Sequence, residues 1–134
     1  MNDKKGLEAH LRRIRLELAR SPGKPDGAAD EGYEFIAPLG ADSHISLDGW
    51  KRDRGLCFVH RLEKGAIADR GLLVHRAGGA GGATWAFDYA PGGDADEDAG
   101  FRFSAHPFVV GEYVSIRDED GAMHTYRVTS VTPA

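Results

Sequence analysis

Only one cysteine, Cys57, stands among the 134 residues, so no disulfide can form within one chain and the fold has to be held by its core. Its neighbours Leu56 and Phe58 set it in an apolar run, where a thiol packs as a small hydrophobe, and no catalytic context surrounds it. Long apolar stretches are missing as well. Nothing in the chain is long enough to span a bilayer as a helix, and Met1-Asn2-Asp3-Lys4-Lys5 leads into arginine-rich sequence without the apolar run of a signal peptide. No membrane partner is expected, and the expected compartment is the cytoplasm. A basic block is absent too: arginines are interleaved with acids and the formal net charge is −4, which argues against wholesale binding to a phosphate backbone.

Local motifs of chemistry are equally scarce. The six histidines include no H-E-x-x-H and no H-x-H, and there is no C-x-x-C, so zinc has no ready-made ligand pair. No serine or cysteine sits in a nucleophile elbow. Asp94-Ala-Asp-Glu-Asp-Ala-Gly100 begins like a calcium loop, but the required glycine would fall at Ala99 and the closing glutamate at Ala105, so it reads as a solvated acidic loop. The glycine run 78–82 could wrap a phosphate, yet it is followed by strand-like Thr84-Trp-Ala-Phe-Asp-Tyr89 and no Lys-Ser/Thr pair, which favours a hairpin connection.

What the chain does contain is short apolar runs punctuated by turns. Hydrophobic residues make up 41% and charged residues 28%, ordinary for a folded protein, and 18 glycines favour frequent tight turns over a helical bundle. Between Leu11 and Arg20 a helical stripe (Leu7, Leu11, Ile14, Leu18) competes with strand alternation (Ile14, Leu16, Leu18 against Arg13, Arg15, Glu17). Tyr33-Glu-Phe-Ile-Ala-Pro-Leu39 follows as a partner run and tips the balance to a strand. Residues 47–54 read as a short helix, capped by Ser46 or Asp48, with Leu47 and Trp50 facing inward. Further strands are expected at 56–63, 71–77 and 84–89, with a fragment at 101–103. At the end of the chain, 112–117 and 123–131 flank Asp118-Glu-Asp-Gly121, the clearest hairpin turn in the sequence.

The expected fold is therefore mainly β: a small antiparallel, strongly bent sheet or barrel-like domain with one short helix near 47–54. One domain spans 1–134, with 1–10 flexible and 21–32 and 90–100 as long polar loops. Exposed strand edges in such a sheet would invite a second copy, so a homo-oligomer is a further possible partner.

Two constellations remain. Strand alternation puts His60 on the face of Phe58 and Leu62, His75 on the face of Leu73, and His124 on the face of Tyr126 and Val128. Were all three faces internal, the imidazoles would converge and could hold a divalent metal such as zinc; the plainer reading is separate histidines at sheet edges. Arg61, Arg76 and Trp85 could form a charge-and-stacking platform for a nucleotide or single-stranded nucleic acid, against the plainer reading of Trp85 as core. The segments Leu11–Arg20, Gly71–Arg76, Thr84–Tyr89 and Gly111–Gly121 give the chain a further likeness: it resembles a group of small bacterial proteins without an assigned function. That resemblance implies a single compact bacterial domain and brings no catalytic or binding residues. The leading expectation is a non-enzymatic, barrel-like binding module for a protein or small-molecule ligand, working without a cofactor. A metal protein or metal-dependent enzyme, and a nucleotide or nucleic-acid binder, are the alternatives.

Overall fold

The computed structural model describes residues 9–76, 85–89, 97–101 and 103–134. Alternation of apolar and polar residues decides the first segment: Ile14, Leu16 and Leu18 are buried while their neighbours are half-exposed, and His10–Arg20 is strand β1, not a helix. Strand β2 (Ala28–Leu39) begins four residues before Gly32, so 28–32, expected as loop, is already paired structure. It folds back on β1 through a register shift at Glu17/Leu18. Gly32 makes this crossing possible. Its φ of +155 and its closeness to β1, where an added Cβ would meet the Leu16 carbonyl oxygen at 1.8 Å, leave no space for any side chain.

After β2 comes the one α-helix, α1 (Leu47–Asp53), whose Ser46 cap accepts a hydrogen bond from the Gly49 amide at 3.0 Å. Trp50 turns inward as expected, and its indole N–H donates to the Leu73 carbonyl at 2.9 Å. Leu47 does not; it is 37% exposed, because a helix of two turns laid across the barrel end can bury only one narrow face. A 3₁₀ turn (Arg54–Leu56) leads into β3 (Phe58–Glu63), then β4 (Ala66–His75), β5 (Trp85–Asp88), β6 (Glu97–Phe101), β7 (Tyr113–Arg117) and β8 (Met123–Pro133). The expected fragment at 101–103 is displaced: β6 ends at Phe101, and Phe103 belongs to a 3₁₀ turn (Phe103–Ala105) that drives its ring into the core. There the ring lies against Gly100, 2.6 Å from where a Cβ would stand. The glycine run 78–82 and Asp94 and Asp96 of the acidic loop lie outside the described residues.

Each strand pairs antiparallel with the next, and β8 returns to pair with β1. The result is a closed, eight-stranded up-and-down barrel, the extreme of the bent sheet that the turn-rich sequence suggests. Closure also removes the free edges on which pairing with a second copy would depend.

Inside, Ile14, Leu16, Phe35, Val59, Leu73, Phe87, Val114, Ile116 and Val128 fill the barrel waist. At one end Trp50, Phe103 and Phe108 stopper it; Phe35 meets Phe108 edge-on at 5.8 Å and Phe103 meets Phe108 at 5.2 Å. Each such buried ring removes apolar surface worth roughly 1.5–3 kcal/mol from water. Gly49 lets α1 seat against this end, since a Cβ there would lie 2.9 Å from Pro38 and 3.1 Å from Ala9. Outward positions of β1 and β2 carry Arg13, Arg15, Glu17 and Glu34 in ion pairs, and no helix among the described residues is long and apolar enough to cross a membrane.

Candidate functional site

At the opposite end of the barrel, where β1 turns into β2, β3 into β4 and β7 into β8, the described residues leave an opening. Strand alternation continues to point side chains inward there, but the inward residues become polar: Tyr33 on β2, Arg61 on β3, Asp69 on β4, Asp98 on β6, His124 and Tyr126 on β8, with Tyr89 just past β5. They line a cavity of about 500 Å³, within the range of sites that hold small molecules.

Asp98 is one of the residues that line it. It pairs across the sheet with inward-facing Phe87 and is only 6% exposed. The Tyr33 and Tyr89 hydroxyls both donate to its Oδ2, each at 2.7 Å, and among the described residues Oδ1 accepts no hydrogen bond. Burial raises the Asp98 carboxyl above the ordinary carboxylate range, and the two phenol donors offset that only in part. The phenols respond in kind. Burial, followed by Tyr126, Tyr89 and Asp98, lifts Tyr33 well above the ordinary tyrosine value, and burial pushes Tyr126 up to about 12. The Tyr33 and Tyr126 rings meet edge-on at 5.1 Å, and Tyr33 lies 5.0 Å from Phe87, so the polar layer rests directly on the core.

Beside it, the charges of Arg61, Lys24 and Asp118 are paired. Arg61 grips Asp69 Oδ2 through Nε (2.8 Å) and Nη2 (2.5 Å), and reaches Glu63 through Nη1 at 2.5 Å. Burial alone would lower its pKa, but the two carboxylates raise it, and the guanidinium stays charged. Lys24 is bonded to Glu31. The Asp118 turn is tied by its own side chain: Oδ1 accepts from the Asp120 and Ala122 amides at 3.0 and 2.9 Å, and Oδ2 meets His124 Nε2 at 2.8 Å. Burial would raise the Asp118 carboxyl, yet the bonds from His124, Ala122 and Asp120 hold it below the ordinary value.

The candidates drawn from sequence scatter. His124 is at the mouth. His75 faces inward as its parity with Leu73 requires, but at the stoppered end, its ring 4.8 Å from Trp85 and 6.1 Å from Trp50. His60 shares the face of Phe58, which is 50% exposed and therefore outside the barrel. The three imidazoles do not meet, and among the described residues no group of three or more His, Cys, Asp or Glu is placed to hold a metal. Arg61, Arg76 and Trp85 likewise do not form one platform. Arg61 is at the mouth, half-exposed Arg76 pairs with Asp88 and Glu97 on the flank, and Trp85 is core, 3% exposed and edge-on to Trp50 at 5.6 Å. Cys57 is buried and pushed up to about 11 by burial and then by Asp53, as an inert thiol should be. Asp98 and Tyr33 escaped the reading of the sequence as site residues, and Tyr89 stood out only as an aromatic on the face of Trp85 and Phe87. The signal was present in parity: Tyr33 alternates with Phe35, and Tyr89 with Phe87 and Trp85, so both phenols had to stand at the inner ends of core-facing rows.

Fold and cavity together define a class, the up-and-down barrel stoppered at one end and open at a polar mouth. No family model matches the chain, and no curated protein and no solved structure matches it.

Proposed function

We propose that this barrel is a binding module that takes a small polar molecule into its open mouth, without a metal and without turnover. The observation that carries the reading is the cavity of about 500 Å³, lined by a nearly buried carboxylate, Asp98, and by Tyr33, Tyr89 and Tyr126. Eight-stranded barrels have interiors just wide enough for side chains or one small ligand, and here side chains fill only the stoppered end and the waist. The distances within the Arg61 and Asp118 clusters leave the charged side chains held by one another, a preformed lining suited to recognition. A nucleic-acid reading is less well supported, because both arginines proposed for it, Arg61 and Arg76, already bind carboxylates.

The test is to titrate the protein with a panel of small amines, carboxylates and polyols while following the ring resonances of Tyr33, Tyr89 and Tyr126 by NMR. Saturable shifts confined to these rings are expected for one chemical class. Saturable shifts confined to the outer surface, or none at all, would contradict the reading.

A further inference from the structure

Resting on the reading of the mouth as a small-molecule site, we infer that its ligand is a small organic cation, a protonated amine whose N–H groups meet Asp98 between the rings of Tyr33, Tyr89 and Tyr126. The first argument is charge. Among the described residues, seven carboxylates line the cavity against two permanent cations, Lys24 and Arg61, and one histidine. Both permanent cations are already engaged by carboxylates, so an incoming anion would find no free lysine or arginine among the described lining residues and would face a net negative wall there.

The second argument is the state of Asp98, independent of that count. A carboxylate removed from water needs its lone pairs satisfied, and here both donors go to Oδ2 while Oδ1 takes none among the described residues. An ammonium supplies both things the site lacks, a positive charge and N–H donors for Oδ1. Tyr33, Tyr89 and Tyr126 line the same cavity, and aromatic rings attract a cation through their quadrupole. A bare metal ion would need several converging ligands, which the described residues do not provide, and the cavity is far larger than an ion.

The deciding experiment uses primary amines graded in size, from ethylamine through benzylamine to tryptamine, each matched with the alcohol and carboxylate of the same skeleton. Calcium chloride is titrated alongside. Binding is read from the tyrosine resonances and by calorimetry, for the wild type and for Asp98→Asn. The expected result is an amine that binds at the tyrosines at least roughly tenfold more tightly than its alcohol, a difference of about 1.4 kcal/mol, with no binding of the carboxylate. Asp98→Asn should abolish that preference while keeping the wild-type circular dichroism; Asp98→Glu, which restores the charge, should recover part of it. Alcohols or carboxylates that bind at the tyrosines as tightly as the amines would overturn the cation inference and leave the mouth as a ligand site. Calcium that saturates the same resonances in place of amines would overturn it too. If no compound shifts the tyrosines, both the inference and the reading beneath it fail.

Discussion

Asp98 is where the chain's local chemistry is most exposed to test. Its folded pKa is raised, so the folded state holds that proton more tightly than the unfolded chain does. The resulting stability is fully present below the unfolded value, near 3.8, and is lost as pH rises through the raised folded value; above that the effect is constant. Asp98→Asn, which keeps an oxygen to accept from the two phenols, should therefore raise the thermal midpoint by a few degrees at neutral pH and leave it little changed in acid. Melting curves from pH 3 to 8, a range of about five units chosen to bracket the ordinary carboxylate value, would show it, and a lower midpoint at neutral pH would refute the account. The same residue links binding to pH. Amine affinity should weaken as pH falls through the raised carboxyl value, because the ligand stays charged while its counter-charge is neutralised.

The elements make sharper predictions about backbone. Gly32→Ala should cost more than about 2 kcal/mol by urea unfolding, since the new Cβ would strike the Leu16 carbonyl and the left-handed φ of +155 cannot be kept by alanine. Ser46→Ala should cost about 1 kcal/mol through loss of the α1 cap, with the Trp50 contact to Leu73 retained. Elements with a strong local pattern were legible before any coordinates. For β1 the alternation competed with a helical stripe until the partner run 33–39 tipped it, Ser46 or Asp48 marked the helix start, and Asp118 to Gly121 marked the β7–β8 turn, where Gly121 has φ of +88. Others were not. The first half of β4, Ala-Ile-Ala-Asp-Arg, is largely exposed and carries no amphipathic signal, and β6, Glu-Asp-Ala-Gly-Phe, has the composition of a loop. The first half of β4 is a strand because β3 pairs with it, and β6 because β5 and β7 pair with it on either side, a tertiary cause that no local window contains. The site was half-visible for the same reason. Arg61 and His124 stood out as single residues, whereas Asp98 was one acid among many until β6 became a strand with an inside.

At the scale of the molecule, the barrel exists only once β8 has found β1. That pairing joins Ile14 to Val131 and Leu16 to Val128, residues far apart in sequence, so loop closure has to precede its reward. Folding should consequently be slow for the chain's size, in the range of about milliseconds to seconds typical of non-local β topologies. Stopped-flow tryptophan fluorescence, reporting on Trp50 and Trp85 in the stoppered end, would measure it; microsecond folding would mean that the closure is not rate-limiting.

The stopper of Trp50, Phe103 and Phe108 has a kinetic meaning as well as a structural one. With that end packed, whatever enters the mouth must retreat along the path by which it came. On the proposed reading, arrival and departure would share the mouth that, among the described residues, the Asp118 turn and the loop from Ser21 to Lys24 help to line, and two ligands would exchange in succession. As a binder the barrel would be a cup and not a conduit: residence time would be set at its rim, and tightening the rim would slow loading and release together.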